Sequence, residues 1–132
     1  MKIVARAQVT SGAANYHHDI QTGHHELVAD EPAARGGGDD GPSPYNFVLA
    51  GLGACTAITL RMYAEKKGWE LGQLSVALTL TKDDDDNALI ERTLQADGPL
   101  DDAQWARLLE IAEKTPVTRT LKAGASITTR RA

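Results

Sequence analysis

The stretch that decides the fold runs Gly41-Pro42-Ser43-Pro44-Tyr45-Asn46-Phe47-Val48-Leu49-Ala50-Gly51-Leu52-Gly53-Ala54-Cys55-Thr56 and closes on Lys66-Lys67-Gly68. Ser43 is a capping residue, Pro44 suits the first helical position, and Pro42 is spaced to staple against Phe47. At the far end Lys66 and Lys67 suit the negative pole of a helix dipole, and Gly68 is a natural left-handed cap. The spacing predicts one helix from Pro44 to about Lys67, about 36 Å long at 1.5 Å per residue. Its first half is apolar on nearly every face, which predicts a helix surrounded by protein. Gly51, Gly53, Ala54 and Ala57 weaken a helix unless another backbone comes close. They predict a second helix packed there, from this chain or from a second subunit.

Outward from that helix the pattern is β-rich. On the N-terminal side Lys2 to Thr10 alternates like a half-buried strand. Tyr16 to Ile20 and His24 to Asp30 flank Gln21-Thr22-Gly23 and predict a hairpin. Glu31 to Ser43 holds Pro32, Gly36-Gly37-Gly38, Asp39-Asp40 and Gly41-Pro42, which is loop chemistry.

On the C-terminal side Ser75 to Lys82 and Ala88 to Ala96 predict a second hairpin with the acidic tip Asp83 to Asn87. Asp97-Gly98-Pro99 turns the chain, and Asp101 with Gln104 resembles a capping box. Trp105, Leu108, Leu109 and Ala112 predict the apolar stripe of a second helix. Pro116 ends that helix or opens a new short turn, and Ala125 to Thr129 reads as a closing strand. The order of strands, long helix, strands, helix and strand is an α+β layout in a single domain, 1-132.

Composition limits what such a domain does. The chain has 132 residues, a formal net charge of -4 and one cysteine. Its basic residues are scattered, so neither nucleic acid nor an anionic membrane surface is an expected partner. The apolar run from Phe47 to Leu60 is too short and too rich in glycine and threonine to predict a bilayer span. MKIVARAQVT alternates and lacks the apolar core of a signal peptide, and a lone cysteine forms no internal disulfide. The expected location is the cytoplasm.

The segment Gly41 to Tyr45 running into Leu49 to Thr56 resembles the core signature of the OsmC/Ohr family, of osmotically inducible and organic hydroperoxide resistance proteins. Thr59 to Ala64, Lys67-Gly68-Trp69 and Ala29-Asp30-Glu31-Pro32 are similar to one branch of that family. Ile111 to Val117 resembles its second signature, so the likeness covers nearly the whole chain. It implies an OsmC-like fold: an N-terminal hairpin or meander, a long buried central helix, a second hairpin and a C-terminal helix. It also implies an intertwined homodimer and thiol-based reduction of organic hydroperoxides. In the family's mechanism a cysteine on the central helix, matched here by Cys55, becomes a sulfenic acid. A second cysteine before the late proline then forms a disulfide with it, and a dithiol resets the pair.

Three departures bear on that chemistry. Thr115 stands where the second cysteine belongs, Pro44 is followed by Tyr45 rather than by a glutamate, and no arginine falls between Gly12 and Asp19. Arg35 and Arg119 are the candidate substitutes. Cys55 lies three turns into its helix, too far for that helix's own dipole to act on the sulfur, so an arginine is expected to supply the charge. The expected catalytic residue is Cys55, in a one-cysteine cycle with an outside monothiol or dithiol reductant. Tyr45, Thr56, Thr115, Arg35 and Arg119 are the candidate residues around it. The alternative is a non-catalytic member binding a small apolar ligand at the dimer interface. No cofactor and no metal is expected. His17-His18 and His24-His25 read as solvated strand residues, and Asp83 to Asp86 lacks the ligand spacing of a calcium loop.

Overall fold

The computed structural model describes residues 1-132, and the chain divides into two compact units, Met1–Val48 and Leu49–Ala132. The elements in order are β1 (Gln8–Ser11), β2 (His18–Thr22), β3 (His25–Ala29), a 3-10 turn (Ala33–Arg35), α1 (Pro44–Lys67), β4 (Leu74–Lys82), β5 (Ala88–Ala96), α2 (Asp102–Ala112) and α3 (Pro116–Ala123).

In the first unit β1, β2 and β3 form an antiparallel sheet in that order, with Ile20 opposite both Val9 and Leu27. Gly23 turns the β2–β3 hairpin with φ +60°, as its position between the arms predicts. The loop after β3 curls around the buried carboxylate of Asp30, which accepts the N–H groups of Glu31 at 2.8 Å and Asp40 at 3.1 Å. The Asp40 N–H is the foremost of the contacts that hold this carboxyl below the usual carboxylate range. His17 sits between the carboxylates of Asp40 and Asp19, and these hydrogen bonds, Asp40's first, raise its pKa.

The second unit is built on the β4–β5 hairpin. Its alternation places Leu74, Val76, Leu78 and Leu80 of β4 on one face, with Ile90, Arg92, Leu94 and Ala96 of β5 beside them. Leu52, Gly53, Thr56, Leu60 and Ala64 are the buried positions of α1, close to every fourth residue. Gly53 lies directly against a side chain of the sheet. A Cβ there would stand 2.8 Å from Leu78 Cδ1. The core below it comprises Leu60, Ala64, Leu71 and Leu108, edged by Tyr63, Trp69, Leu74, Leu94, Leu100, Trp105 and Ile111. Asp101 caps α2 with the expected box: its side chain accepts the Gln104 N–H, and the Gln104 side chain accepts the Asp101 N–H. Pro116 opens α3 rather than simply ending α2.

Several expectations are corrected. Strand pairing covers Gln8–Ser11 rather than Lys2 to Thr10, and Ala125 to Thr129 forms no strand. Both terminal segments are exposed, Ile127 at 86%, because a strand needs a neighbour to take its backbone groups and neither has one within the chain. Within the chain itself α1 buries one stripe: a Cβ on Gly51 would meet nothing within 4 Å, and Ile58 and Met62 stand exposed. The close approach at Gly53 is to a strand side chain, not to a second helix of this chain. On α2 it is Ile111, not Leu109, that joins the core. Over its full length α1 is also long and apolar enough to cross a bilayer, which the shorter count from Phe47 does not anticipate. Core helices meet the same criterion, and the buried stripe of α1 packs against its own chain.

Because Leu60 is wholly buried at the centre of this core, Leu60→Ala should cost about 2–5 kcal/mol of unfolding free energy. Urea denaturation followed by circular dichroism checks this. A loss under about 1 kcal/mol would mean that α1 does not depend on the packing described.

Candidate thiol site

Cys55 faces the start of α3. Its Sγ is half-buried and accepts the backbone N–H of Val117 at 3.5 Å. Pro116 occupies the first helical position and has no N–H to give, so Val117 supplies the first free donor of that helix. The first turn of α3 therefore meets the sulfur end-on. The helix whose start faces Cys55 is thus α3, not the helix that carries it.

Beside the thiol lies a closed polar cluster. The Thr56 hydroxyl donates to Leu52 O at 2.7 Å and accepts from Arg92 Nη1 at 2.9 Å. The same Nη1 donates to Thr118 Oγ1 at 2.7 Å, and Nη2 donates to Ala112 O at 3.1 Å. The hydroxyls of Thr115 and Thr118 share a hydrogen bond of 2.6 Å. Thr56, Thr115 and Thr118 are all buried, and buried polar groups persist only when partnered in this way. The acceptors on Arg92 are neutral oxygens, so its charge is delocalised rather than cancelled. Its field reaches Glu113, whose carboxyl is held below the usual range first by its hydrogen bond with Lys122 and last by Arg92.

Of the residues singled out from sequence, Thr56 and Thr115 belong to this cluster. Arg119 lies exposed on α3 and contributes its backbone N–H to Thr115 O. Arg35 and Tyr45 belong to the first unit. Arg35 is paired with Glu31 at 3.0 Å, and Tyr45 is half exposed in the first turn of α1. Within the second unit, the arginine joined to the cluster beside Cys55 is Arg92 rather than Arg119. A signal for it was present: in β5 it falls between Ile90 and Leu94 on the inward face, where a charged residue breaks the apolar alternation. Thr118 and the Val117 N–H had no such signal, since they depend on α3 forming at all.

The comparisons with known proteins give the family and the fold. A sequence profile described as OsmC-like protein matches residues 36–130, and the chain belongs to that family. Its fold is shared with a putative osmotic stress induced and detoxification response protein from Psychrobacter arcticus, with 15% identity over 91% of this chain and 90% of that one and a TM-score of 0.78. An OsmC-like protein from Mycoplasma pneumoniae superposes with a TM-score of 0.77 at 17% identity, covering 92% of this chain and 89% of the other. The organic hydroperoxide resistance protein OhrB of Bacillus subtilis matches at 24% identity over 91% of each chain, with a TM-score of 0.62. No curated protein matches the sequence.

If the cluster is as tightly coupled as its distances imply, Thr118→Val should cost about 1–3 kcal/mol by stripping a partner from both Arg92 and Thr115. Thr93→Val, on the exposed face of β5, should stay within about 0.5 kcal/mol. Thermal or urea unfolding of the two variants makes the comparison. Equal losses would show that the network adds nothing to stability.

Proposed function

We propose that the protein is a one-cysteine peroxidase, working in the cytoplasm as a homodimer, that reduces organic hydroperoxides at Cys55 with an external thiol. The observation that carries this reading is the Cys55 sulfur set against the first free N–H of α3, beside the Arg92 cluster. Membership of the OsmC-like family and the naming of similar structures as organic hydroperoxide resistance proteins support it.

In the first step the Cys55 thiolate attacks one peroxide oxygen and the O–O bond breaks. Sulfur gives up two electrons and becomes a sulfenic acid; the other oxygen leaves as an alkoxide, takes a proton and departs as the alcohol. The N–H of Val117 holds the thiolate in place. Thr115 cannot continue as a resolving thiol would, because a hydroxyl forms no S–S bond. Its hydroxyl is already committed to Thr118. An external thiol therefore condenses with the sulfenic acid, releasing water and leaving a mixed disulfide. A second thiol then frees Cys55 as the reductant's disulfide departs.

A second reading is favoured by Thr115 itself and by the exposed Ile58 and Met62 on α1. It is a non-catalytic member that binds a small apolar ligand where two copies meet. Both readings need the dimer, which is supported by this apolar face and by the unpaired segments at either end of the chain.

Consumption of an organic hydroperoxide with monothiol and dithiol reductants separates the two readings. Turnover abolished in Cys55→Ser and reduced at least tenfold in Arg92→Gln is the expected result. No turnover in the native protein ends the peroxidase reading and favours ligand binding.

Light scattering on the native protein should give twice the mass of the 14.1 kDa chain. Met62→Glu should shift the species toward monomer by placing a charge on the apolar face. A monomeric native protein overturns the dimer.

A further inference from the structure

The first unit holds a second constellation that the thiol chemistry does not use. We propose that His17, Asp30 and Asp40 bind a divalent transition cation of the zinc class, with Asp19 orienting the imidazole from behind. The ligand atoms of the three residues lie within 4.8 Å of one another. Nδ1 of His17 is 2.9 Å from Asp40 Oδ2, while Nε2 is 3.3 Å from Asp19 Oδ1. Both ring nitrogens of His17 thus face carboxylates: a cation at Nδ1 would replace the direct hydrogen bond with Asp40, while Nε2 keeps its proton toward Asp19, the kind of partner that fixes the tautomer of metal-binding histidines.

Asp30 supplies the rigid part of the site. It is buried, and the N–H groups of Glu31 and Asp40 set the orientation of its two oxygens. A carboxylate has about four lone-pair positions, so acceptor capacity remains after those two bonds. Two glycines lie against it. A Cβ on Gly38 would stand 3.4 Å from both Asp30 Oδ2 and Asp40 Oδ2, an ordinary contact, so Gly38 borders both carboxylates. A Cβ on Gly37 would lie 1.9 Å from Glu31 O and 2.9 Å from Asp30 Oδ1, so the loop can wrap Asp30 this tightly only with glycine there.

The ligand types narrow the cation. One imidazole and two carboxylates, with no thiolate, suit Zn²⁺ or Mn²⁺ and disfavour Cu(I). Bonds of about 2.0–2.2 Å place tetrahedral ligand atoms roughly 3.3–3.6 Å apart, so a pair at the 4.8 Å limit would close by about 1.2–1.5 Å, while the His17–Asp40 pair at 2.9 Å would open slightly. His17 and Asp40 can supply that movement, since their side chains are 27% and 53% exposed. His24 and His25 stack on each other at the far end of the hairpin and take no part.

The test is calorimetric titration of ZnCl₂ into the full chain after chelator treatment, with circular dichroism confirming that each variant is folded. The expected result is one equivalent bound with micromolar or tighter affinity. His17→Gln and Asp40→Asn should each weaken binding more than tenfold, and Asp19→Asn about tenfold. Replacing both His24 and His25 with glutamine should change nothing. The exposed Asp40 keeps the test decisive should the His17 variant fail to fold. Absence of uptake overturns the proposal and leaves His17–Asp40 a plain ion pair. Uptake that survives Asp40→Asn, or that disappears with Cys55→Ser or with the His24/His25 variant, also overturns it by assigning the zinc elsewhere.

Discussion

Arg92 reaches from β5 to three helices at once: to Thr56 on α1, to the last carbonyl of α2 at Ala112, and to Thr118 on α3. Taking a guanidinium out of water is costly, and neutral oxygens compensate it only if several are held in place together. The sheet register determines where this happens. Arg92 pairs with Leu78, and Leu78 fills the notch left by Gly53 on α1. The charged side chain therefore emerges beside the point where Gly53 of α1 meets the sheet. The junction between α2 and α3, the burial of Thr115 and the placement of the Val117 N–H on Cys55 all sit around this one side chain. A network of this kind rigidifies because each member depends on the others being in place.

Much of the fold could be read from local chemistry. The bounds of α1 follow from Pro44 and Gly68, and those of both hairpins from Gly23 and from the acidic tip between Lys82 and Ala88. The capping box at Asp101 was equally plain. What could not be read were features that depend on partners distant in sequence. Lys2 to Ala7 and Ala125 to Thr129 carry strand-like alternation, yet alternation names no neighbour, and within one chain none is available. Gly51 and Gly53 look alike in sequence; one faces Leu78 and the other faces nothing within 4 Å.

The thiol site was half legible for the same reason. Cys55, Thr56 and Thr115 sit in recognisable segments, whereas the choice among arginines needed the register of β5. Arg35 and Arg119 are near the right motifs in sequence, but one is engaged by Glu31 and the other is exposed. The start of α1 lies too far from Cys55 to act on it, as the spacing predicts; the helix terminus that does meet the sulfur belongs to α3, which forms because Pro116 starts a helix as readily as it stops one. The histidines show a similar limit. Adjacent histidines on a strand offer one ligand per face, which is sound, yet Asp30 and Asp40 approach His17 through a glycine loop whose path no spacing rule describes.

Thr115 and Thr118 connect the stability of the second unit to its chemistry. A thiol at Thr115 would be a weak donor and a weak acceptor, and would partner Thr118 poorly. Two hydroxyls instead bond at 2.6 Å and pass that bond on to Arg92. The hydroxyl that rules out an internal disulfide thereby completes the polar network beside the remaining thiol. The structure holds the α2–α3 junction with the guanidinium and two threonines. On the proposed peroxidase reading no disulfide forms across that junction, and Cys55 is the one point at which this unit exchanges electrons with a thiol from outside.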